Sequence, residues 1–415
     1  MEQKRLKVLL GCYACSPNCG SEPGMGWHFT INIARFHDVH VIVEESKFKT
    51  KILQFAETHP EIVKNITFHF IPRKRIRILR KVWPPSYYWF YRSWQKKAYQ
   101  LALKLHEQEN FDIVHQITLA GFREPGYLWK LPIPYIWGPI GGFTQTPWKL
   151  IPGCGLHGAI YFTARNIINA FQKRFSYAGR QVAQQAHTIL VSDKRGLCDV
   201  KRHWDKTAEL ILEVSTNNSL SASHISLRQK NESLKICWVG HLIALKSLEL
   251  LLFAIHKCRN KDIVLEVLGD GDMAGKWKKL AHSLNIANRV NFKGRVSHDE
   301  VMKAMRQCHV FCHTSIKEGG TGTVILEALQ NGLPTIILNH GGAAHVVDNS
   351  CGIKIPIENR TQISNDIAEQ LEILATDESW RQELAKGAIA RASSFTWKSK
   401  MESINEIYKR ASITN

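Results

Sequence analysis

No apolar run in this 415-residue chain is long enough to cross a bilayer, and no secretory apolar segment follows Met1. A membrane-spanning or exported protein is therefore not expected. The ten cysteines show no regular spacing, which fits a reducing cytosol better than a disulfide scaffold. Cys12, Cys15 and Cys19 lie close together, but no fourth ligand or matching pair stands nearby, so no metal site is expected there. Acid is scarce: 36 Asp and Glu face 55 Lys and Arg, a formal net charge of +19. From Arg73 to Lys104 there is no Asp or Glu, while Trp83, Tyr87, Tyr88, Trp89, Phe90, Tyr91 and Trp94 interleave with the basic residues. That mixture over residues 73–104 suits an anionic membrane surface. The same recipe serves single-stranded nucleic acid, or a solvated basic helix beside a structural aromatic cluster. The membrane surface is the preferred reading, and nucleic acid is not expected as a partner.

What is present is ordinary for a globular chain, with 44% hydrophobic and 22% charged residues and enough length for two cores. The most informative stretch runs from Cys312 to Leu329. Val310–His313 reads as a buried strand, Ser315–Gly322 as a glycine loop, and the following residues as a helix with Thr321 or Thr323 as its cap. Gly332 and Pro334 end that helix, and Thr335–Leu338 is the next strand, so the unit is strand–helix–strand. A glycine turn entering a helix N-terminus offers N–H groups and a positive dipole end to a phosphate. Glu318 in the loop and Glu327 on the helix would then handle something neutral and hydroxyl-rich. The competing reading is a solvated helix face of Thr323, Glu327, Gln330 and Asn331.

This arrangement resembles the donor site of family 4 glycosyltransferases, retaining enzymes of GT-B fold. There a pair of glutamates spans the same loop and helix, the first contacting the donor sugar and the second the ribose. Leu326-Glu327-Ala328-Leu329 and Asn331-Gly332-Leu333-Pro334 match the family run, whereas the eight residues between Glu318 and Glu327 are one more than the family has. Gly240-His241 through Lys246-Ser247 resembles a loop whose arginine and lysine reach the donor diphosphate; Lys246 keeps the lysine and His241 replaces the arginine. Gly269 and Gly271 match a turn facing the nucleotide, which leaves Asp270 and Asp272 as surface acids rather than metal ligands. Arg295 and Val296 match the loop that reads the base, and Gly320, Thr321, Gly322 and Thr323 the phosphate-side turn. Gly341-Gly342 is either a further donor-side turn or an ordinary one.

Toward the N-terminus, Leu6–Leu10, a helix to about Arg35 and Val39–Val43 form a βαβ unit without the Gly-x-Gly-x-x-Gly fingerprint. Its turn-rich loop, with Glu22, Gly24 and Gly26, resembles a Gly-Ser-Glu-Pro-Gly-x-Gly loop of one subgroup of the family, bent close to the reacting groups. Glu22 serves equally as a helix-capping acid. Trp137-Gly138-Pro139-Ile140-Gly141-Gly142 resembles the same subgroup, its glycines permitting close backbone approach; a tight packed loop is the alternative. His115, at the end of a buried strand, sits where open parallel sheets gather ligands, although such a histidine is often a hydrogen-bonded core residue.

The fold class expected is α/β GT-B, two Rossmann-like doubly wound domains facing a central cleft. Residues 1–213 form the acceptor-side domain, 214–232 a linker, 233–393 the donor domain, and 394–415 a helix crossing back. The resemblance implies retaining transfer of a sugar from a nucleotide sugar, UDP- or GDP-linked, to a glycan or lipid-linked acceptor without a required metal or other cofactor. Glu318, Lys246 and His115 would be the catalytic residues. The expected setting is the cytoplasmic face of a membrane, in cell-surface polysaccharide or lipopolysaccharide synthesis. An inactive scaffold binding membrane or nucleic acid, and a nucleotide-sugar epimerase, are the alternatives.

Overall fold

The computed structural model describes residues 4–73, 86–216, 225–229, 232–317 and 320–413. Two compact units result, one of Met1–Phe143, Ala170–Glu213 and Lys400–Asn415, the other of Thr144–Asn169 and Val214–Ser399.

The first unit holds strands β1 (Lys7–Cys12), β2 (Asp38–Glu44), β3 (Ile66–Ile71), β4 (Ile113–Thr118), β5 (Tyr135–Ile140), β6 (Thr188–Val191) and β7 (Glu209–Leu210). They pair in the order β3-β2-β1-β4-β5-β6-β7, every pair parallel. β4 and β5 are buried along their whole length, which is why they read as apolar runs rather than as alternating patterns. Of the run 137–142, residues 137–140 belong to β5 and Gly141 and Gly142 follow it; Trp137 is fully buried, donates to the Ala120 carbonyl at 2.9 Å and stacks on Trp204.

The second unit holds β8 (Leu234–Val239), β9 (Ile263–Leu268), β10 (Val290–Gly294), β11 (Val310–His313), β12 (Thr335–Leu338) and β13 (Gly352–Ile355), all parallel, in the order β10-β9-β8-β11-β12-β13. This is the doubly wound order in which strand direction of travel reverses between β8 and β11, and the crevice outside the carboxyl ends there is where such sheets bind ligands. The helix Glu249–Lys257 buries Leu250, Leu251, Leu252, Ala254 and Ile255 and packs against the helix Arg360–Thr376.

Three expectations need correction. Residues 144–169 group with the second unit rather than the first, because Leu150 joins its hydrophobic core and Gly153 abuts Arg360. The N-terminal turn-rich loop is largely the helix Ser21–Ile33, so Glu22, Gly24 and Gly26 occupy its first turns. A Cβ on Gly24 would stand 2.0 Å from the Cys19 carbonyl oxygen, and one on Gly26 2.2 Å from that of Ala14. These glycines let the helix press on its own preceding loop. Lastly, neither Thr321 nor Thr323 caps the helix Thr323–Gln330: its N-cap is Gly322, at φ 77°, with no side-chain cap. Glycine is suited to that left-handed backbone.

Candidate active site

In the second unit, the loops leaving β8, β9 and β10 enclose an open cleft of about 380 Å³, lined by Val239, Gly240, His241, Leu268, Gly269, Asp270, Gly271, Arg295, Val296 and Val301. The sheet sets this position, since each loop leaves the carboxyl end of its strand, the end at which open parallel sheets bind ligands, and β8 borders the reversal point. The loops interlock. Gly240 N donates to the Leu268 carbonyl at 3.0 Å, Leu242 N to that of Asp270 at 3.0 Å, and Gly269 N to that of Gly294 at 2.8 Å. The approach is so close that a Cβ on Gly269 would stand 1.9 Å from the Gly240 oxygen.

His241, Gly269, Gly271, Arg295 and Val296, all singled out by sequence, thus share one cavity. Arg295 brings a guanidinium to the same cleft as His241, which stands where the resembled loop has an arginine. Asp270, read as a plain surface acid, lines the cleft and accepts the Gly271 N–H at 2.8 Å, while Asp272 is exposed outside the lining.

Lys246 ends the short 3₁₀ turn Ala244–Lys246 and is half-buried, its Cε 3.9 Å from the position a Cβ would take on Gly240. That turn is tied across the reversal point to the loop after β11. Thr314 Oγ1 donates to the Lys246 carbonyl at 2.8 Å, Ile316 N donates to that of Leu245 at 3.0 Å, and Trp238 Nε1 donates to Thr314 Oγ1 at 3.1 Å.

Glu318 lies outside the described residues, as does Gly319. The loop resumes at Gly320 and Thr321, both buried, and packs so tightly on Gly342 that a Cβ there would stand 2.6 Å from the Gly320 carbonyl carbon. Thr321 Oγ1 is buried with no hydrogen-bond partner among the described residues. Gly322 and Thr323 begin the helix that carries Glu327. Glu327 Oε1 stands 3.1 Å from His298 Nε2, on the first residue of the helix His298–Gln307. Sequence reading stopped at Ser297 and missed His298. The signal was available in Ser297-x-x-Glu300, which forms a capping box and starts that helix.

In the first unit, His115 does not meet its expected role. It is fully buried; Nε2 donates to the Gly138 carbonyl at 2.7 Å, and Nδ1 accepts the Tyr408 hydroxyl at 2.8 Å. A carbonyl only accepts, so the proton sits on Nε2 and both nitrogens are occupied. Burial holds its pKa down to about 4, partly offset by the Gly138 bond. His115 is a core histidine joining β4 to the C-terminal helix Trp397–Ile413. Glu22 accepts the Leu119 N–H at 2.6 Å, and burial raises its carboxyl above the usual range despite that bond.

The basic, aromatic segment is only partly described, since residues 74–85 lie outside the described set. Arg73 packs over Tyr87 at 4.4 Å and Tyr13 at 5.5 Å, Arg92 pairs with Glu124 at 2.6 Å, and Tyr91 and Trp94 are buried. Tyr88 and Trp89 remain exposed. Among the described residues no cluster of His, Cys, Asp and Glu with metal-holding geometry occurs, and no helix is long and apolar enough to cross a membrane.

Two parallel doubly wound sheets, the second with a cleft at the carboxyl ends of β8, β9 and β10, make this an α/β protein of GT-B fold. Residues 219–391 match the glycosyl transferases group 1 family. The chain is similar to the D-inositol 3-phosphate glycosyltransferase of Corynebacterium diphtheriae, 24% identical over 254 residues that cover 56% of this chain and 58% of that protein. The match therefore spans little more than half of that relative's length. Among solved structures, a glycosyltransferase from Rickettsia africae superposes with TM-score 0.66 at 14% identity, covering 99% of both chains. Anabaena HepE in complex with UDP superposes with TM-score 0.59 at 16% identity, covering 98% of this chain and 100% of that one.

Proposed function

We propose that this protein is a retaining glycosyltransferase that moves a sugar from a nucleoside-diphosphate sugar to a hydroxyl of a glycan or glycolipid. The observation that carries the proposal is the second unit's cleft, where His241, Arg295 and a glycine-rich wall share one cavity at the carboxyl ends of β8, β9 and β10. The family match over residues 219–391 supports it, as does the UDP held by a protein of the same fold.

In this reading the glycine turns accept the nucleotide, Arg295 and Val296 flank its base, and Glu327 holds the ribose hydroxyls. Lys246 and the N-terminal end of the helix Thr323–Gln330, with Gly320, Thr321 and Gly322, offset the charge of the diphosphate. Glu318 orients the sugar. The acceptor oxygen attacks the anomeric carbon on the face that the phosphate leaves; the carbon–phosphate oxygen bond breaks, and the acceptor's proton passes to the departing phosphate oxygen. No first-unit carboxylate is assigned as a nucleophile, so no covalent intermediate is invoked. His115 takes no part, because both its nitrogens are engaged in the core. A metal is not required in this scheme, and the acceptor is membrane-borne, of the lipid-linked or lipopolysaccharide kind, with residues 73–104 contributing to membrane attachment.

Thermal stability against UDP, GDP, ADP and dTDP tests the donor site. A nucleotide at about a hundred times its dissociation constant adds about 2.7 kcal/mol to the folded state. One nucleotide should raise the melting temperature, and Glu327→Ala should abolish the rise. No shift with any of them would remove the donor-site reading and favour an inactive scaffold.

A further inference from the structure

The helix Gly155–Phe175 is amphipathic in the wrong sense for a surface helix. Its inward face carries polar groups beside Phe162: Asn166 accepts the Thr146 N–H at 3.1 Å and donates to the Thr146 carbonyl at 2.8 Å, and Lys173 donates to Asp199 at 2.6 Å and to the Phe143 carbonyl at 2.8 Å. Asn166, Asn169 and Lys173 are each less than 5% exposed. Its outward face is apolar, with Leu156, Ile160, Ile167, Ile168, Phe171 and Phe175 between 54% and 76% exposed. At 3.6 residues per turn these six fall in one arc of roughly 120°. Trp148, Tyr161 and Tyr177, also more than half exposed, add rings of the kind that settle at a membrane–water boundary.

Exposed apolar surface this continuous marks a binding face. Charge identifies the occupant. From Pro125 to Ser192 the sequence has no Asp or Glu, and Lys149, Arg165, Arg174 and Arg180 are exposed within that span. A second copy of the chain docked two-fold on this face would set like charges against like. An anionic lipid surface meets both the apolar arc and the positive flank.

We infer that the helix Gly155–Phe175 docks the protein onto anionic membrane, lying flat with its apolar arc among the acyl chains and Arg165 and Arg174 at the phosphates. Lys173 is turned inward by Asp199, so the helix presents its hydrophobic side without burying an unpaired cation. The inference deepens the membrane-borne acceptor of the proposed function, and places the main contact outside residues 73–104. It does not depend on the transfer reaction.

Flotation of the full chain with vesicles tests it. The protein should float with vesicles of equal phosphatidylglycerol and phosphatidylcholine, and not with phosphatidylcholine alone. I160E/I167E/F171E should lower the floated fraction by roughly tenfold or more. R165E/R174E should lower it and flatten its dependence on salt. Both variants should keep the wild-type melting temperature and nucleotide response, which separates failure of this inference from failure of the donor site. Three results overturn it: no flotation of the wild type, unchanged flotation of I160E/I167E/F171E, or a wild-type dimer that this variant splits into monomers.

Discussion

His298 Nε2 stands 3.1 Å from Glu327 Oε1, linking the start of one helix to the middle of another beside the second unit's cleft. The carboxylate is mostly buried and the imidazole two-thirds exposed, at 16% and 68%. The histidine therefore adds little to stability, but it holds the orientation of the carboxylate assigned to the ribose. Glu327→Ala should eliminate nucleotide binding measured by calorimetry. His298→Ala should weaken it by roughly threefold to tenfold, as for loss of one hydrogen-bonding neighbour. Equal binding by Glu327→Ala and wild type would contradict the assignment.

Tyr408→Phe should cost about 1–3 kcal/mol in urea unfolding, since it leaves His115 Nδ1 buried and unpartnered. Turnover per folded molecule should stay within a factor of about two, because the two side chains are buried and bonded to each other in the core. The histidine also shapes acid stability. Its pKa of about 4 in the folded chain lies below the ordinary 6.5, so between those values the unfolded chain binds a proton that the native one does not. Stability is lost through this group as pH falls from about 6.5 toward about 4.

Glu213 acts in the opposite sense. Burial, and then the neighbouring Glu22 charge, push its carboxyl up to about 7 from 4.5. Between those values the native protein holds a proton that the unfolded chain releases, so this group lowers stability as pH rises. Because the two windows overlap, their slopes offset each other in the wild type. Glu213→Gln should therefore expose a stability that climbs with pH across pH 4.5–6.5, the window the two groups share, in denaturant titrations. A variant with the same pH profile as wild type would show that Glu213 titrates normally.

Gly269→Ala should destabilise the second unit by at least about 2 kcal/mol, since the new methyl meets the Gly240 carbonyl oxygen at 1.9 Å. The same overlap distorts the cleft, so nucleotide-induced stabilisation should fall as well. Gly275→Ala, with open space around its Cβ position, serves as the control.

Chelation separates the two readings of Asp270 and Asp272. On the proposed assignment of the phosphate charge to Lys246 and the helix end, sugar transfer should persist in excess EDTA, and Asp270→Asn/Asp272→Asn should retain turnover. Loss of turnover restored by a divalent cation would assign the pair to metal.

Much of the second unit was legible in the chain. The run Val310–Leu338 declares its strands through apolar stretches and its helix through Leu326–Leu329, and the glycines at 240, 269 and 271 mark turns too close for any side chain. These are local signals, readable from a few consecutive residues. His115 misled because a histidine at a strand end looks the same in sequence whether it meets a ligand or, as here, Tyr408 from the other end of the chain. The Glu22 segment misled because its glycines suggested a loop, whereas they serve the contact of a helix with Ala14 and Cys19.

By itself, then, the sequence determined the alternation of strand and helix, the parallel α/β class and the turns that form the second unit's cleft, because hydrophobic period and glycine placement act over short spans. Only the tertiary structure decided which polar groups are spent inside: His115 on Gly138 and Tyr408, and Lys173 on Asp199. It also decided which apolar residues are left outside on the helix Gly155–Phe175. Burial depends on partners distant in the chain, and no local pattern encodes them.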